Sequence, residues 1–312
     1  MNTLLVLDSD AATYVAALKE RKLTDLVIHS ANDPDAAGEH VEKADIILAR
    51  PAYAALLLER AKKLRWLQST FAGIEPLCCE GLRTDYILTG VKDVFGRLMS
   101  EYVFAYILAR ERSLFETKTN QDTKEWAPIP YQGLENLTIG IVGLGSIGKS
   151  IAATAAHFGM QVLGMKRTHD TVDKVNQLFL PSEKAAFLPL VDYLVVTLPA
   201  TEQTINFLDL ADLKLMKPTS TLMSVGRGSN IDQDGLISAL QRKYIGGAVL
   251  DVFQQEPLPA TSPLWDMPNV YITPHNSAFS FPTQITSLFC ENYTRFLSGN
   301  KLKYIVEFAN GY

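Results

Sequence analysis

Cysteine is scarce in this 312-residue sequence: Cys78, Cys79 and Cys290 are the whole set, an odd number with no CxxC pair and no metal-ligand spacing. That excludes a disulfide framework and points to a reducing compartment, with adjacent Cys78 and Cys79 read as buried, inert thiols. Charge of one sign is lacking too. The net charge of −5, with no Lys or Arg run, offers no footprint for nucleic acid or an anionic membrane surface. The most apolar stretch, Tyr102 to Ala109, lies between Glu101 and Arg110 and falls far short of the roughly 20 residues that cross a bilayer. Thr3 opens a strand-like run with no charged leader before it, so no signal peptide and a cytoplasmic location are expected. Repeats, low-complexity tracts and heptads are also missing. Partners are therefore expected to be small molecules and further copies of the chain, with no nucleic acid and no membrane.

What is present is a long alternation of short apolar strands and helical patterns, in a chain of a length that suits two domains. Leu4–Leu7, Leu26–His29, Ile46–Leu48, Trp66–Gln68 and Tyr86–Leu88 read as strands of a first lobe. Helices are expected between them at 11–22, 35–43, 53–61 and 74–81. No glycine fingerprint follows any of these strands, so this lobe is the candidate to hold substrate. A helical pattern from Leu98 to Thr117 marks the first boundary, followed by an irregular connection containing Trp126, Pro128 and Pro130. Strands are expected again at 161–165, 193–196, 221–224, 247–250 and 270–272. Helices are expected near 172–176, 208–214 and 233–242, and a last one at 283–297 should return to the first lobe. The predicted class is α/β with two doubly wound parallel-sheet lobes and a cleft between them. A substrate-binding domain (1–98, completed by 283–312) accompanies a Rossmann dinucleotide-binding domain (99–282).

The second lobe is built on Leu137-Thr-Ile-Gly-Ile-Val-Gly-Leu-Gly-Ser-Ile-Gly148. A β-branched strand runs straight into Gly143, Gly145 and Gly148, and a helix begins at Ser146 and Ile147. In this arrangement Gly143 turns the chain, Gly145 admits a pyrophosphate, Gly148 packs helix on strand, and the helix N-terminus faces the phosphates. Eighteen residues past Gly148, where NAD binders commonly carry an acid for the ribose 2′-hydroxyl, stand Lys166, Arg167 and Thr168. These suit a 2′-phosphate, so NADP(H) is the preferred cofactor, with NAD(H) as the alternative. Asp170 lies beyond the usual spacing.

Further candidates follow the later strands. Arg227 in Ser224-Val225-Gly226-Arg-Gly228 has the planar fork of a carboxylate clamp. Asp251 ends a strand at the same rim, either accepting from a nicotinamide amide or capping the following turn. Of five histidines, His29, His40 and His157 read as structural and His169 as an aid to cofactor phosphate. His275, in Thr273-Pro-His, has Glu256 on a nearby loop, and a Glu beside a His fixes its tautomer and favours the protonated ring of a general acid.

In this order the residues resemble the D-isomer-specific 2-hydroxyacid dehydrogenases, over nearly the whole chain. The resemblance rests on the glycine fingerprint, Leu198-Pro199-Ala-Thr-Glu-Gln-Thr204, Val225-Gly-Arg-Gly228, Leu250-Asp-Val-Phe253, Glu256-Pro257, Pro263-Leu-Trp265 and Thr273-Pro-His275. It implies that Arg227, Glu256 and His275 are catalytic. It also implies that Leu198, Pro199, Thr204, Val225, Gly226 and Asp251 border the cofactor, and that Phe71, Ala72 and Gly73, with Arg227 and His275, hold the substrate carboxylate. Lys166-Arg167-Thr168 and the helix start Arg97-Leu-Met-Ser-Glu-Tyr102 look most like NADPH-preferring glyoxylate/hydroxypyruvate reductases, and a homodimer is implied. Phe71 departs from the small residue common at its place. The alternatives are an enzyme for a larger 2-keto acid and a non-catalytic NAD(P)-sensing protein on the same fold. Trp126 reads as a packing residue under its loop, or as a residue that reaches a partner's substrate cleft.

Overall fold

The structure is a computed structural model that describes residues 1–308; the last four residues of the expected first domain lie outside the described residues. Two compact units divide the chain. One comprises Met1–Val94 and the chain from Ser280 onward, the other Phe95–Phe279.

In the first unit the order is β1 (Asn2–Leu7), α1 (Ala11–Glu20), β2 (Leu26–Ala31), α2 (His40–Lys43), β3 (Ile46–Ala49), α3 (Pro51–Ala55), β4 (Trp66–Ser69) and β5 (Ile87–Thr89). The strands form one parallel sheet in the order β2-β1-β3-β4-β5, the flavodoxin-like arrangement. Strands covered on both faces must be apolar throughout, and β3 and β4 are buried over their whole length. Leu5, Leu7, Ile47 and Leu67 pack against Val41, Leu57 and Leu77 on one face.

The second unit holds α4 (Gly96–Glu111), α5 (Leu114–Asp122), β6 (Thr138–Val142), α6 (Ser146–His157), β7 (Gln161–Met165), β8 (Gln177–Phe179), α7 (Lys184–Phe187), β9 (Tyr193–Val196), α8 (Leu210–Leu213), β10 (Thr221–Ser224), α9 (Gln233–Gln241), β11 (Gly247–Leu250) and β12 (Val270–Ile272). Its seven parallel strands run β12-β11-β10-β9-β6-β7-β8. The strand order reverses between β6 and β9, and that reversal opens the crevice where doubly wound sheets take their ligands. Apolar side chains cover both faces. Val142, Leu194 and Leu222 meet Phe187 and Leu236 on one, while Ile141, Val195 and Met223 meet Ile107 and Ile151 on the other.

The last helix, α10 (Pro282–Leu297), belongs to the first unit, where Phe289 stacks on Trp66 with ring centroids 4.9 Å apart. Beneath it lies a buried polar cluster. Trp66 Nε1 donates to Thr89 Oγ1 (2.8 Å), Thr89 Oγ1 to Gln68 Oε1 (2.8 Å), and Asn292 Nδ2 to the same Gln68 oxygen (3.2 Å).

Several expected helices are corrected. The pattern from Leu98 to Thr117 is two helices, because Ser113 takes the left-handed conformation (φ 47°) and turns the chain between α4 and α5. No helix forms at 172–176; the following residues make the short edge strand β8 instead. At 74–81 only a 3-10 turn, Glu75–Leu77, is present, and the pattern at 53–61 yields α3 and then turns. Cys79 is exposed and Cys78 half-buried, not a buried pair. Trp126 is 97% exposed, so it does not pack under its loop.

Candidate active site

The glycine turn has the geometry that its spacing demands. Gly143 has φ +98°, and a side chain there would press on Thr197. A Cβ on Gly148 would lie 2.0 Å from the Gly143 carbonyl, whereas one on Gly145 would meet nothing within 4 Å. Two glycines are thus required by the protein's own packing, while the third leaves open space over the start of α6. That helix carries no side-chain cap at its N-terminus, so its first-turn N–H groups suit an anionic group. These features fit a dinucleotide pyrophosphate.

Past β7, the Lys166 backbone N–H donates to Phe179 of β8 (3.1 Å), which fixes the position of the strand end. Its Nζ lies 3.2 Å from Asp170 Oδ2, and Thr168 Oγ1 donates to that same oxygen (2.7 Å). These hydrogen bonds, Thr168 first, hold the exposed Asp170 carboxyl below the usual carboxylate range. Arg167 and His169 are exposed at the same strand end.

Arg227 sits in the loop after β10, between two glycines that nothing larger replaces. A Cβ on Gly226 would stand 2.6 Å from the Leu198 carbonyl, and one on Gly228 would stand 1.9 Å from the Phe253 backbone. The Arg227 loop is therefore wedged between the loop after β9 and the loop after β11. Buried Asn230 ties it down: its Oδ1 accepts from Arg227 N–H (2.9 Å) and its Nδ2 donates to Pro199 (3.1 Å) and Thr204 (3.2 Å). Thr204 Oγ1 also bonds Pro199 (2.7 Å), which closes the Leu198–Thr204 loop on itself.

Glu256 and His275 meet directly. His275 Nδ1 is 2.7 Å from Glu256 Oε2, and Glu256 Oε1 accepts from Phe253 N–H (2.9 Å). A carboxylate only accepts, so Nδ1 carries the proton and Nε2, in a ring 51% exposed, has no partner among the described residues. The Glu256–Pro257 peptide is cis. His275 itself has φ +52°, an uncommon conformation for a residue with a side chain. Its N–H is held by the Asp251 carbonyl (2.9 Å), and the Asp251 carboxylate, wholly buried, collects the rest of the loop. Oδ1 accepts from Thr273 Oγ1 (2.6 Å) and Asn276 N–H (2.8 Å), and Oδ2 from Ser277 N–H (3.1 Å). Burial pushes the Tyr102 phenol well above the ordinary tyrosine value, so its hydroxyl stays protonated and donates to Thr273 (2.7 Å). Of the two readings of Asp251, the capping one is what these bonds describe, and Oδ2 retains acceptor capacity.

In the first unit, Phe71, Ala72 and Gly73 follow β4. The loop is braced by Ser69, whose Oγ accepts from Phe71 N–H (3.0 Å) and donates to the Phe71 carbonyl (2.6 Å). The N–H groups of Ala72 and Gly73 donate to nothing among the described residues. Phe71 is half-buried with the Arg50 guanidinium 4.8 Å from its ring centroid. That guanidinium also bonds Ser9 Oγ (2.9 Å) and approaches buried Asp8.

Sequence reasoning missed Asn230, Thr273 and Thr197, whose Oγ1 donates to the Gly143 carbonyl (2.6 Å). Each is a small polar residue one to three positions from a motif glycine, arginine or histidine, or directly after an apolar strand, and that placement was the available signal.

Residues 104–277 match the model of the D-isomer specific 2-hydroxyacid dehydrogenase NAD binding domain. The chain belongs to this family. Among relatives of this dehydrogenase chain, glyoxylate/hydroxypyruvate reductase A of Serratia proteamaculans is 33% identical over 214 residues, 69% of this chain and 68% of that one. A D-isomer specific 2-hydroxyacid dehydrogenase family protein from Aeromonas salmonicida has a solved structure with TM-score 0.94 and 43% identity, covering 98% of this chain and 99% of that one. The NADPH-dependent glyoxylate/hydroxypyruvate reductase of Sinorhizobium meliloti, solved with NADP and sulfate, aligns with TM-score 0.89 and 26% identity over 99% and 100% of the two chains.

Proposed function

We propose that this 2-hydroxyacid dehydrogenase is an NADPH-dependent reductase of small 2-keto acids of the glyoxylate and hydroxypyruvate type, giving D-2-hydroxy acids. The observation that carries the reading is the Glu256–His275 pair at the carboxyl end of a dinucleotide-binding sheet, with the far nitrogen of the ring unpartnered. The glyoxylate/hydroxypyruvate reductase activity named for the Serratia and Sinorhizobium relatives supports the substrate class. The cofactor supplies the hydride that reaches C2 of the keto acid. His275 donates the Nε2 proton to the carbonyl oxygen as negative charge develops there, and Glu256 holds the ring and stabilises its charged form. Arg227 grips the substrate carboxylate and draws charge toward the carbonyl. The chain delivers one proton for each hydride, which balances reduction of a ketone to an alcohol.

For the cofactor, the reading assigns the pyrophosphate to Gly143–Gly148 and the 2′-phosphate to Lys166, Arg167 and Thr168. Leu198, Pro199, Thr204, Val225 and Gly226 form its remaining border, which Asp251 shapes by holding the Thr273–Ser277 loop. Phe71–Gly73 is assigned to the substrate carboxylate, supported by its two unused N–H groups. Residues 1–98 with 283–312 would be the substrate-binding domain, and 99–282 the dinucleotide-binding one. A cytoplasmic homodimer completes the reading. Its support is the free thiols and the exposure of Trp126 alongside Leu114, Phe115 and Tyr131. Trp126 then serves the partner's substrate site. Among the described residues, no helix is long and apolar enough to cross a membrane.

Steady-state reduction of glyoxylate with each cofactor tests the reading. NADPH should exceed NADH at least tenfold in kcat/KM, about 1.4 kcal/mol of differential stabilisation. Absence of turnover with any small 2-keto acid would leave only a nucleotide sensor, and equal use of NADH would overturn the NADPH preference.

A further inference from the structure

We propose that Asp170 is a specificity-determining residue that works against a 2′-phosphate: its carboxylate engages Lys166 and Thr168, two groups that the phosphate would use, and so holds the preference for NADPH below what they alone would confer. The inference rests on the NADPH reading above and assigns one further residue to setting its degree.

A single oxygen carries the argument. Asp170 Oδ2 accepts from Lys166 Nζ at 3.2 Å and from Thr168 Oγ1 at 2.7 Å, and the Asp170 carbonyl lies 3.5 Å from the same Nζ. An anion thus already sits where two donors converge, and it belongs to the chain. Its carboxyl is held below the usual range by those same bonds, so it is ionised at neutral pH. Strand pairing fixes the backbone of Lys166 through its bond to Phe179, whereas Asp170 is exposed in the segment beyond. The carboxylate is therefore the part that must yield.

A phosphate dianion approaching Lys166 and Thr168 has two courses. It displaces the carboxylate from both donors, losing the bonds already made, or it settles beside a like charge at a few ångströms. Water and salt weaken that repulsion without abolishing it. The 2′-hydroxyl of NADH requires neither donor and itself donates to a carboxylate. Asp170 consequently penalises one cofactor and tolerates the other, and its contribution appears in the ratio of affinities.

The test measures binding without turnover, by titrating wild type, Asp170→Asn and Asp170→Ala with NADPH and NADH and following cofactor fluorescence. Both variants should bind NADPH about three- to tenfold more tightly, with NADH unchanged or weaker, and the gain should shrink at high salt. Asparagine keeps a hydrogen-bond acceptor for Thr168 without the charge, and alanine removes both; since Asp170 is exposed, neither disturbs packing. An unchanged ratio of affinities, or weaker NADPH binding, in both variants overturns the proposal. The wild-type ratio tests the NADPH reading separately. A wild type that favours NADH, with variants that gain NADPH affinity, would sink that reading and uphold the role of Asp170.

Discussion

Thr273 Oγ1 donates to the buried carboxylate of Asp251 across 2.6 Å, and two residues later the chain presents His275. In the proposed reduction, His275 is thus aimed by a hydroxyl and a carboxylate that need not touch substrate. Thr273→Val keeps the volume and removes the donor, leaving one Asp251 lone pair and the Tyr102 hydroxyl without their partner. Loss of a bond to a charged group at such a site costs about 1.5–3 kcal/mol. Expressed in orientation of His275, this should lower kcat roughly tenfold or more, with little change in the Kd for NADPH measured by fluorescence. Unchanged kcat would make the bond purely structural.

His275→Gln should lower kcat for glyoxylate reduction by about 100- to 10,000-fold, the usual worth of general acid catalysis. The Kd for NADPH should stay within twofold, because the glycine turn and Lys166 lie elsewhere on the sheet. Glu256→Gln should give a smaller loss: the amide still reaches Nδ1 but no longer stabilises the charged ring. Near-normal turnover of His275→Gln would remove the residue from the mechanism.

Arg227→Lys keeps the charge and loses the planar two-point grip, so kcat and KM for the keto acid should both worsen, by at least tenfold in kcat/KM. Rescue of the alanine variant by added guanidinium would support the assignment. Wild-type kinetics in the lysine variant would reduce Arg227 to a distant charge.

Asn292→Ala should destabilise the first unit by about 1–3 kcal/mol, since it strips a buried partner from Gln68 and from Lys303, whose N–H it accepts at 2.8 Å. A thermal melt should report a lower Tm, by about 4 °C per kcal/mol for a unit of this size. A Tm equal to wild type would show that the cluster is energetically neutral.

The strands were the legible part of the fold. Tyr193–Val196, Thr221–Ser224, Gly247–Leu250 and Val270–Ile272 occupy their expected residues, because a sheet covered on both faces demands short unbroken apolar runs that few other structures require. Helix ends were legible for α9 and α10, which fall within one residue of expectation, but not elsewhere. The break at Ser113 depends on one backbone angle, and β8 is a three-residue edge whose pairing with β7 leaves no periodic trace. The same divide runs through the site. Residue types with a chemical signature, the glycines and Arg227, Glu256 and His275, stood out, whereas Asn230 bonds backbone carbonyls 31 and 26 residues away. Only the tertiary approach of the loops selects those partners.

The first unit is sewn shut from both ends of the chain: Gln68 on β4 waits for Asn292 on α10, while the second unit runs without interruption from Phe95 to Phe279. During synthesis the second unit is therefore complete first, although its sequence comes later. At about 5–20 residues per second, the N-terminal sheet spends roughly 10–40 s without its last helix, with the Trp66 face uncovered. Of the two units, the one whose sequence begins first is the last to finish, and in that interval its uncovered apolar face is open to aggregation.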